Sequence, residues 1–252
     1  MRHSAPKKEL LPNPVIYFQR LEKLCAERGY LLDKSVRTGD GLHPLYKIIL
    51  NPSSRRTYCF AAGIHGNEIS GPWAILNFLL GYKARPGDPR IILLPVLNPH
   101  GFLSNKRLNQ NRINLNRRFF RRPLLAARRQ IAKLFRGEAI DFFLSLHEDD
   151  EKKGYYLYRY GAHEHIFQQI IAWLKTRSSV CLSARIYADR AAGGIVHHPR
   201  SDGSLEKWVY RRGKTAQSTY LEIPDAQLFN HRTRLVSKML SFMVSQSADL
   251  LR

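Results

Sequence analysis

Thr57-Tyr58-Cys59-Phe60-Ala61-Ala62-Gly63-Ile64-His65-Gly66-Asn67-Glu68-Ile69 is the stretch on which the fold turns. Residues 57–62 are a short apolar run with the length and composition of a buried strand. The run stops at Gly63, and residues 69–82 resume as an apolar segment of helical length. A strand that breaks at glycine and re-forms as a helix is a strand–helix unit of an α/β fold. Gly63 and Gly66 allow the tight backbone that such a junction needs. The junction also carries His65 and Glu68, three residues apart, so both side chains can turn toward one point.

Outward from this unit the pattern repeats. Downstream, residues 91–97 read as a buried strand stopped by Asn98-Pro99-His100-Gly101, and residues 123–135 as a basic helix. Residues 140–146 form another apolar strand ending at His147. A helix is predicted at 166–176, a weak strand at 180–186, and a loop around Gly193-Gly194 and 199–203. A strand at 218–223, ended by Pro224, precedes a helix at 226–243. Upstream, residues 46–50 read as a strand closed by Asn51, Pro52, Ser53 and Ser54. Residues 15–28 read as a helix with Ile16, Phe18, Leu21, Leu24 and Cys25 on its apolar face. Residues 1–13 read as a loose basic arm. The expectation is one α/β domain over 14–252, a mixed, mostly parallel twisted sheet with helices on both faces. In such sheets ligands bind at the carboxyl ends of strands. His65, Asn98, His147 and Glu222 all fall at or just beyond such ends.

Composition sets the outer bounds. The chain has 252 residues and 44% hydrophobic residues, enough for one large core. No apolar run reaches the roughly 18–20 residues that cross a bilayer, and the N-terminus lacks an apolar signal core. The chain therefore reads as soluble and cytoplasmic, with no membrane partner, unless a leader was removed. Cys25, Cys59 and Cys181 are odd in number and far apart, so no disulfide framework or cysteine zinc site is expected. Lys and Arg number 41 against 20 Asp and Glu, a net charge of +21. No acidic residue occurs between Lys106 and Arg136. The excess can attract nucleic acid or an anionic substrate, or keep the protein soluble. No aromatic-basic RNA motif or helix-turn-helix signature accompanies it, which argues against nucleic acid as a partner.

Catalytic zinc takes three protein ligands and leaves a position for water, and His and Glu are suitable donors. His65 and Glu68 supply two, and His147 can supply the third. Each is unremarkable alone, since a His-x-x-Glu spacing is a common accident and a lone strand-end His is often structural. Their shared position at strand ends is what selects them. His163 and His165 read as surface residues. His197-His198 could line the pocket, but adjacent residues rarely chelate one metal.

The motifs in order resemble the zinc metallocarboxypeptidase family of the carboxypeptidase A type. Gly63-Ile64-His65-Gly66-Asn67-Glu68 resembles its first metal motif, and Asn98-Pro99-His100-Gly101 its Asn-Pro-Asp-Gly turn. Residues Arg107 to Arg117 are similar to its substrate-binding stretch, although Arg112 stands where Gly is usual and Asn114 where Asp is usual. Leu146-His147-Glu148 resembles the third-ligand motif, and Thr219-Tyr220-Leu221-Glu222-Ile223-Pro224 the segment with the catalytic glutamate. The related succinylglutamate desuccinylase and aspartoacylase branch shares the ligands and the Asn-Arg pair.

The resemblance implies a carboxypeptidase-like fold and one zinc per chain on His65, Glu68 and His147. It implies Glu222 as general base, Arg107 as oxyanion donor, and Asn116 and Arg117 as the grip on a terminal carboxylate. Taken alone, Glu222 could be a surface residue, Arg117 part of a solvated basic run, and the four acids Glu148 to Glu151 a solvated turn. The expected activity is a zinc metallocarboxypeptidase cleaving the C-terminal amide of a peptide, including a cell-wall peptide. A zinc deacylase acting on a small N-acyl amino acid is the alternative, and a basic nucleic-acid-binding protein the second. The substrate-clamping tyrosine is open among Tyr187, Tyr210 and Tyr220.

Overall fold

The computed structural model describes residues 12–121, 125–162, 164–197, 199 and 203–247. In chain order these form α1 (Pro14–Arg28), β1 (Leu31–Asp33), β2 (Lys47–Leu50), β3 (Thr57–Ala62), α2 (Ser70–Gly81), β4 (Arg90–Leu94) and α3 (Pro99–Ser104). A 3-10 turn (Leu115–Arg117), α4 (Ala126–Lys133), β5 (Ile140–Asp149), β6 (Tyr156–Tyr160) and α5 (Glu164–Lys175) follow. The last elements are β7 (Arg185–Ile186), β8 (Asp189–Ala192), β9 (Ile195–Val196), α6 (Leu205–Arg211), β10 (Thr215–Pro224) and α7 (Phe229–Ser245).

The strands pair in the order β1-β2-β4-β3-β5-β10-β6-β9-β8-β7. The central four, β4, β3, β5 and β10, run parallel. Antiparallel pairs extend the sheet through β2 and β1 on one side and β6 on the other. The expected α/β sheet with a parallel centre is therefore present, and its outer strands pair antiparallel except for β9, which runs parallel to β6. Helices cover both faces. Buried residues of α1, α2, α5 and α7 pack with Phe60, Phe142 and Leu144, while residues of α6 and the α4 region pack with Cys59, Ile92 and Phe143. Alternation along β3 and β5 feeds the two cores in turn, which is why residues 58–62 and 142–144 are apolar on both faces. Each fully buried Phe, Leu or Ile contributes about 1.5–3 kcal/mol.

The helix ends follow local chemistry. Asn13 accepts from Val15 N at 2.8 Å, Pro14 fills the first turn, and Gly29 closes α1 in the left-handed region. Asn98 caps α3 by accepting from Gly101 N, so the Asn-Pro-His-Gly turn is the start of a short helix. None of α2's own side chains caps it. Its Ser70 amide is instead held by the carboxylate of Glu148, from the end of β5.

Three expectations change. Residues 180–186 are not a strand: Val180 makes a single bridge to Tyr155, and only Arg185–Ile186 pairs. Glu148 and Asp149 are not a solvated turn, because β5 continues through both and buries them. The basic helix is shorter than 123–135, and Pro123 lies outside the described residues. Most of the expected N-terminal arm also lies outside them. Cys25, Cys59 and Cys181 are free thiols, and no helix among the described residues is long and apolar enough to cross a membrane.

Candidate metal centre

The carboxyl ends of β3, β5 and β10 meet on one face of the sheet. Parallel register sets Glu222 beside His147 and Tyr220 beside Ser145, and antiparallel register sets Tyr156 and Tyr158 beside Glu222 and Tyr220. Because strand side chains alternate, Ser145, His147 and Asp149 share this face with Tyr220 and Glu222 and with Tyr156 and Tyr158. Their floor is aromatic: Tyr158 stacks on Tyr220 at 4.4 Å, and Tyr220 meets the His147 ring edge-on at 5.3 Å.

The loop after β3 brings in the other two candidate ligands. Gly63 takes φ +63°, which a side chain would strain. Gly66 lies against the α3 backbone so closely that a Cβ would stand 2.0 Å from the Gly101 carbonyl carbon. Gly66→Ala is therefore expected to push the loop off α3, with a cost at or above the roughly 1–3 kcal/mol of ordinary overpacking. Thermal melting and metal binding should fall together in that variant.

His65, Glu68 and His147 are all buried, and their ligand atoms lie within 4.8 Å of one another. His65 Nδ1 stands 2.7 Å from Glu68 Oε1, and His147 Nδ1 stands 2.8 Å from Glu68 Oε2. Both imidazoles thus present Nδ1 to the same carboxylate. Their far nitrogens each face an acceptor, and that of His147 also has the Asn116 Nδ2 donor at 3.5 Å. His65 Nε2 is 3.1 Å from Asn114 Oδ1, whose orientation is fixed because it also accepts from Asn116 N. His147 Nε2 is 3.2 Å from Glu206 Oε1 and 3.2 Å from Ser145 Oγ. A proton on each Nε2 leaves both Nδ1 lone pairs directed inward, the state a metal ligand needs. Two inward nitrogens and one carboxylate are a donor set that suits zinc.

Electrostatics matches a cation site. Burial opposes the Glu68 charge, but the facing His65 and His147 hold its carboxyl well below the usual range. Burial lowers His65, while His147, although buried, is raised by Glu68 and Glu206. Glu222 is half-buried and pushed up to about 8, first by burial and then by the charges of Glu68 and Asp149, against the pull of His147.

These groups line a cavity of about 560 Å³. His65, Glu68, Arg107, Asn116, Arg117, His147 and Glu222, all expected from the sequence, border it. Arg107 Nη1 donates to Glu68 Oε1 at 2.6 Å, with its side chain still 44% exposed. The Arg117 guanidinium donates to its neighbour's carbonyl, Asn116 O, at 3.0 Å and lies at the mouth. Asn116 is more tied down: its Oδ1 accepts from Leu205 N at 2.8 Å and its Nδ2 donates to Glu206 Oε2 at 3.3 Å. Of the three tyrosines, Tyr187 and Tyr220 line the cavity, and Tyr210 packs beside Tyr160. Tyr187 O–H donates to Asp149 Oδ1 at 2.8 Å, and Tyr156 O–H to Asp149 Oδ2 at 2.5 Å. His165 is an exposed residue bonded to Gln169, and His197 lies 3.8 Å from Glu164 instead of in the cavity. His163 and His198 lie outside the described residues.

Glu206 escaped sequence reading. It is fully buried yet sits in an ordinary-looking Leu-Glu-Lys-Trp segment, and no metal-ligand spacing relates it to His147. Asp149 escaped as well, hidden in a run of four acids.

The sequence model of the succinylglutamate desuccinylase/aspartoacylase catalytic domain matches residues 54–195. That span is more than half of the chain and holds the three candidate ligands, Arg107, Asn116 and Arg117, and it ends before Glu206 and Glu222. A comparison with curated proteins finds no match. Among solved structures, a chain from Shewanella denitrificans provisionally named a metallopeptidase has a TM-score of 0.79 at 21% identity, covering 97% of this chain and 98% of that one. One of the same provisional name from Shewanella amazonensis has a TM-score of 0.78 at 21% identity, covering 91% of each. A metallo-carboxypeptidase from Pseudomonas aeruginosa, in complex with (2-guanidinoethylmercapto)succinic acid, has a TM-score of 0.67 at 18% identity, covering 94% of this chain and 69% of that one. These likenesses show a shared metallopeptidase-like fold.

Proposed function

This chain belongs to the succinylglutamate desuccinylase/aspartoacylase catalytic-domain family, and from that premise we propose that it is a zinc hydrolase cleaving an amide whose leaving group carries a free carboxylate. The observation that carries the reading is the convergence of His65, Glu68 and His147 at one end of a cavity that Glu222 and Arg117 also border. The first substrate class is a peptide cut at its C-terminal amide, as in a metallocarboxypeptidase. The second is a small N-acyl amino acid, which the family match favours. Both present the same group to the enzyme, an amide nitrogen on a carbon bearing a carboxylate.

The chain's own residues divide the work. His65 Nδ1, His147 Nδ1 and the Glu68 carboxylate would hold the zinc. When bound, zinc polarises a carbonyl and acidifies water. Arg117, planar and permanently charged, takes the substrate carboxylate from the cavity mouth. Glu222 takes a proton from the attacking water and returns it to the departing nitrogen, the exchange that a carboxylate of raised pKa suits. Arg107 keeps donors beyond its Glu68 contact for the oxygen that gains charge, an interaction of a kind worth roughly 3–4 kcal/mol. Tyr156, Tyr158 and Tyr220 wall the site with rings and limit water on that side.

The test is a mass-spectrometric screen of peptides and N-acyl amino acids, each with free or amidated carboxylate. Amidation is expected to lower kcat/KM by about 10- to 150-fold, the equivalent of roughly 1.5–3 kcal/mol for a hydrogen bond to a charged group. Arg117→Ala should remove most of that discrimination. Equal cleavage of free and amidated substrates would contradict the assignment of Arg117, and a peptide panel left intact beside a cleaved N-acyl amino acid would select the second class.

A further inference from the structure

We propose that Glu206 is a positioning residue of the metal centre: its buried carboxylate holds the Nε2–H of His147 and so fixes the Nδ1 lone pair on the metal. The inference rests on the metal reading above and extends it to a residue beyond the span matched by the family.

Glu206 has no exposed surface, and an anion so placed requires specific partners. Its Oε1 lies 3.2 Å from His147 Nε2, and its Oε2 accepts from Asn116 Nδ2 at 3.3 Å. A carboxylate can only accept, so Glu206 requires a proton on Nε2, and a metal held between His147 Nδ1 and Glu68 takes the place of any proton there. The carboxylate is itself held in place. Ser204 caps the first turn of α6, Ser218 Oγ donates to the Glu206 carbonyl at 2.9 Å, and Asn116 Oδ1 holds Leu205 N. Gly203 packs on Arg117 so tightly that a Cβ there would stand 2.2 Å from the Arg117 carbonyl oxygen. The peptide of Phe119 also donates to the Gly203 carbonyl at 2.9 Å. The start of α6 is thus fastened to the segment that carries Asn116 and Arg117, and Glu206 reaches from it to the ligand.

The two histidines differ in this respect. The outer partner of His65 is the neutral carboxamide of Asn114, whereas that of His147 is a carboxylate. An anionic outer partner raises the basicity of the ligating nitrogen more than a neutral one. Glu206 therefore contributes more to metal affinity than Asn114 does, although neither touches the metal.

The experiment measures zinc affinity by competition with a chromophoric chelator on the parent, Glu206→Gln, Glu206→Met and Asn114→Ala, with circular dichroism to establish folding. Glu206→Gln is expected to stay folded and lose about 10- to 100-fold in affinity, the range for outer partners of metal ligands. Glu206→Met should lose at least as much, and Asn114→Ala less. Nitrogen-15 NMR of the zinc-loaded parent should find the His147 proton on Nε2. Folded Glu206 variants that bind zinc within threefold of the parent would overturn the inference and leave the metal centre standing. If neither variant folds, the NMR decides, and a His147 proton on Nδ1 overturns it. A parent that binds no zinc would overturn the metal reading and this inference together.

Discussion

Glu222→Gln is expected to lower kcat by about 10²- to 10⁴-fold, the usual share of a general acid–base group, while zinc content stays at the parent level. The amide keeps the shape of the side chain and loses the ability to carry a proton between water and the leaving nitrogen. In the parent, kcat/KM should fall as pH drops through the Glu222 pKa, because only the carboxylate accepts a proton. That limb lies below the value of about 8 to which burial pushes Glu222, since a bound cation favours the anion. The limb should vanish from the residual activity of the variant. Stability supplies an independent check. The folded-state pKa of Glu222 is raised above its ordinary 4.5, so the folded chain holds a proton that the unfolded chain releases first. Metal-free stability therefore declines as pH rises from about 4.5 to about 8. Glu222→Gln should melt higher than the parent at pH 8 and equally at pH 4. Full turnover in the variant would remove Glu222 from the mechanism.

Arg232→Met is expected to cost about 3–5 kcal/mol of stability, the penalty for stranding one partner of a buried ion pair. Arg232 lies on α7, on the far side of the sheet from the cavity. Its Nη2 pairs with Glu148 Oε2 at 3.2 Å, its Nε donates to Ser70 Oγ at 2.6 Å, and its Nη1 donates to the Gln227 carbonyl at 2.8 Å and to the Asp225 carbonyl. Glu148 follows His147 directly, and Ser70 lies two residues beyond Glu68. One guanidinium therefore fastens both ligand-bearing segments from behind, with the loop after β10. Burial pushes the Glu148 carboxyl up to about 7 against the pull of Arg232, so without the arginine that carboxyl must either carry an unpaired charge or take up a proton, and Ser70 Oγ and two carbonyls lose their donor as well. Chemical denaturation should show a lower midpoint with an unchanged slope, and zinc affinity should fall with it. A midpoint shift equivalent to less than about 1 kcal/mol would contradict the role given to this clasp.

The central strands and the grouping of His65, Glu68 and His147 were legible because they depend on local pattern. β3 is apolar from Tyr58 to Ala62 and ends at glycine, and β5 reads as strand up to His147 whatever lies beside it. Glu222 was legible only through the resemblance of residues 219–224 to a known motif, since a strand-end Glu taken alone reads as a surface residue. What was missed depends on pairing that is distant in sequence. β6, Tyr-Leu-Tyr-Arg-Tyr, alternates only weakly in polarity because Tyr156 and Tyr158 are part of the cavity wall, and its place beside β10 comes from a crossover. The hairpin of β7, β8 and β9 is made of two- to four-residue pieces, too short for any periodicity. Glu148 and Asp149 looked like surface charge because a run of acids carries no sign of the arginine and tyrosines that meet it. Glu206 is the extreme case: its partner lies 59 residues earlier, and only the fold of α6 under the sheet joins them.

The claim that His65, Glu68 and His147 hold the zinc on which hydrolysis depends is tested most directly by metal analysis of the purified parent and of His65→Ala, equilibrated side by side with zinc and then dialysed. The expected result is one zinc per parent chain and none in the variant, with both proteins folded. Equal zinc in the two, or a zinc-free parent that still hydrolyses its substrate at full rate, would contradict it.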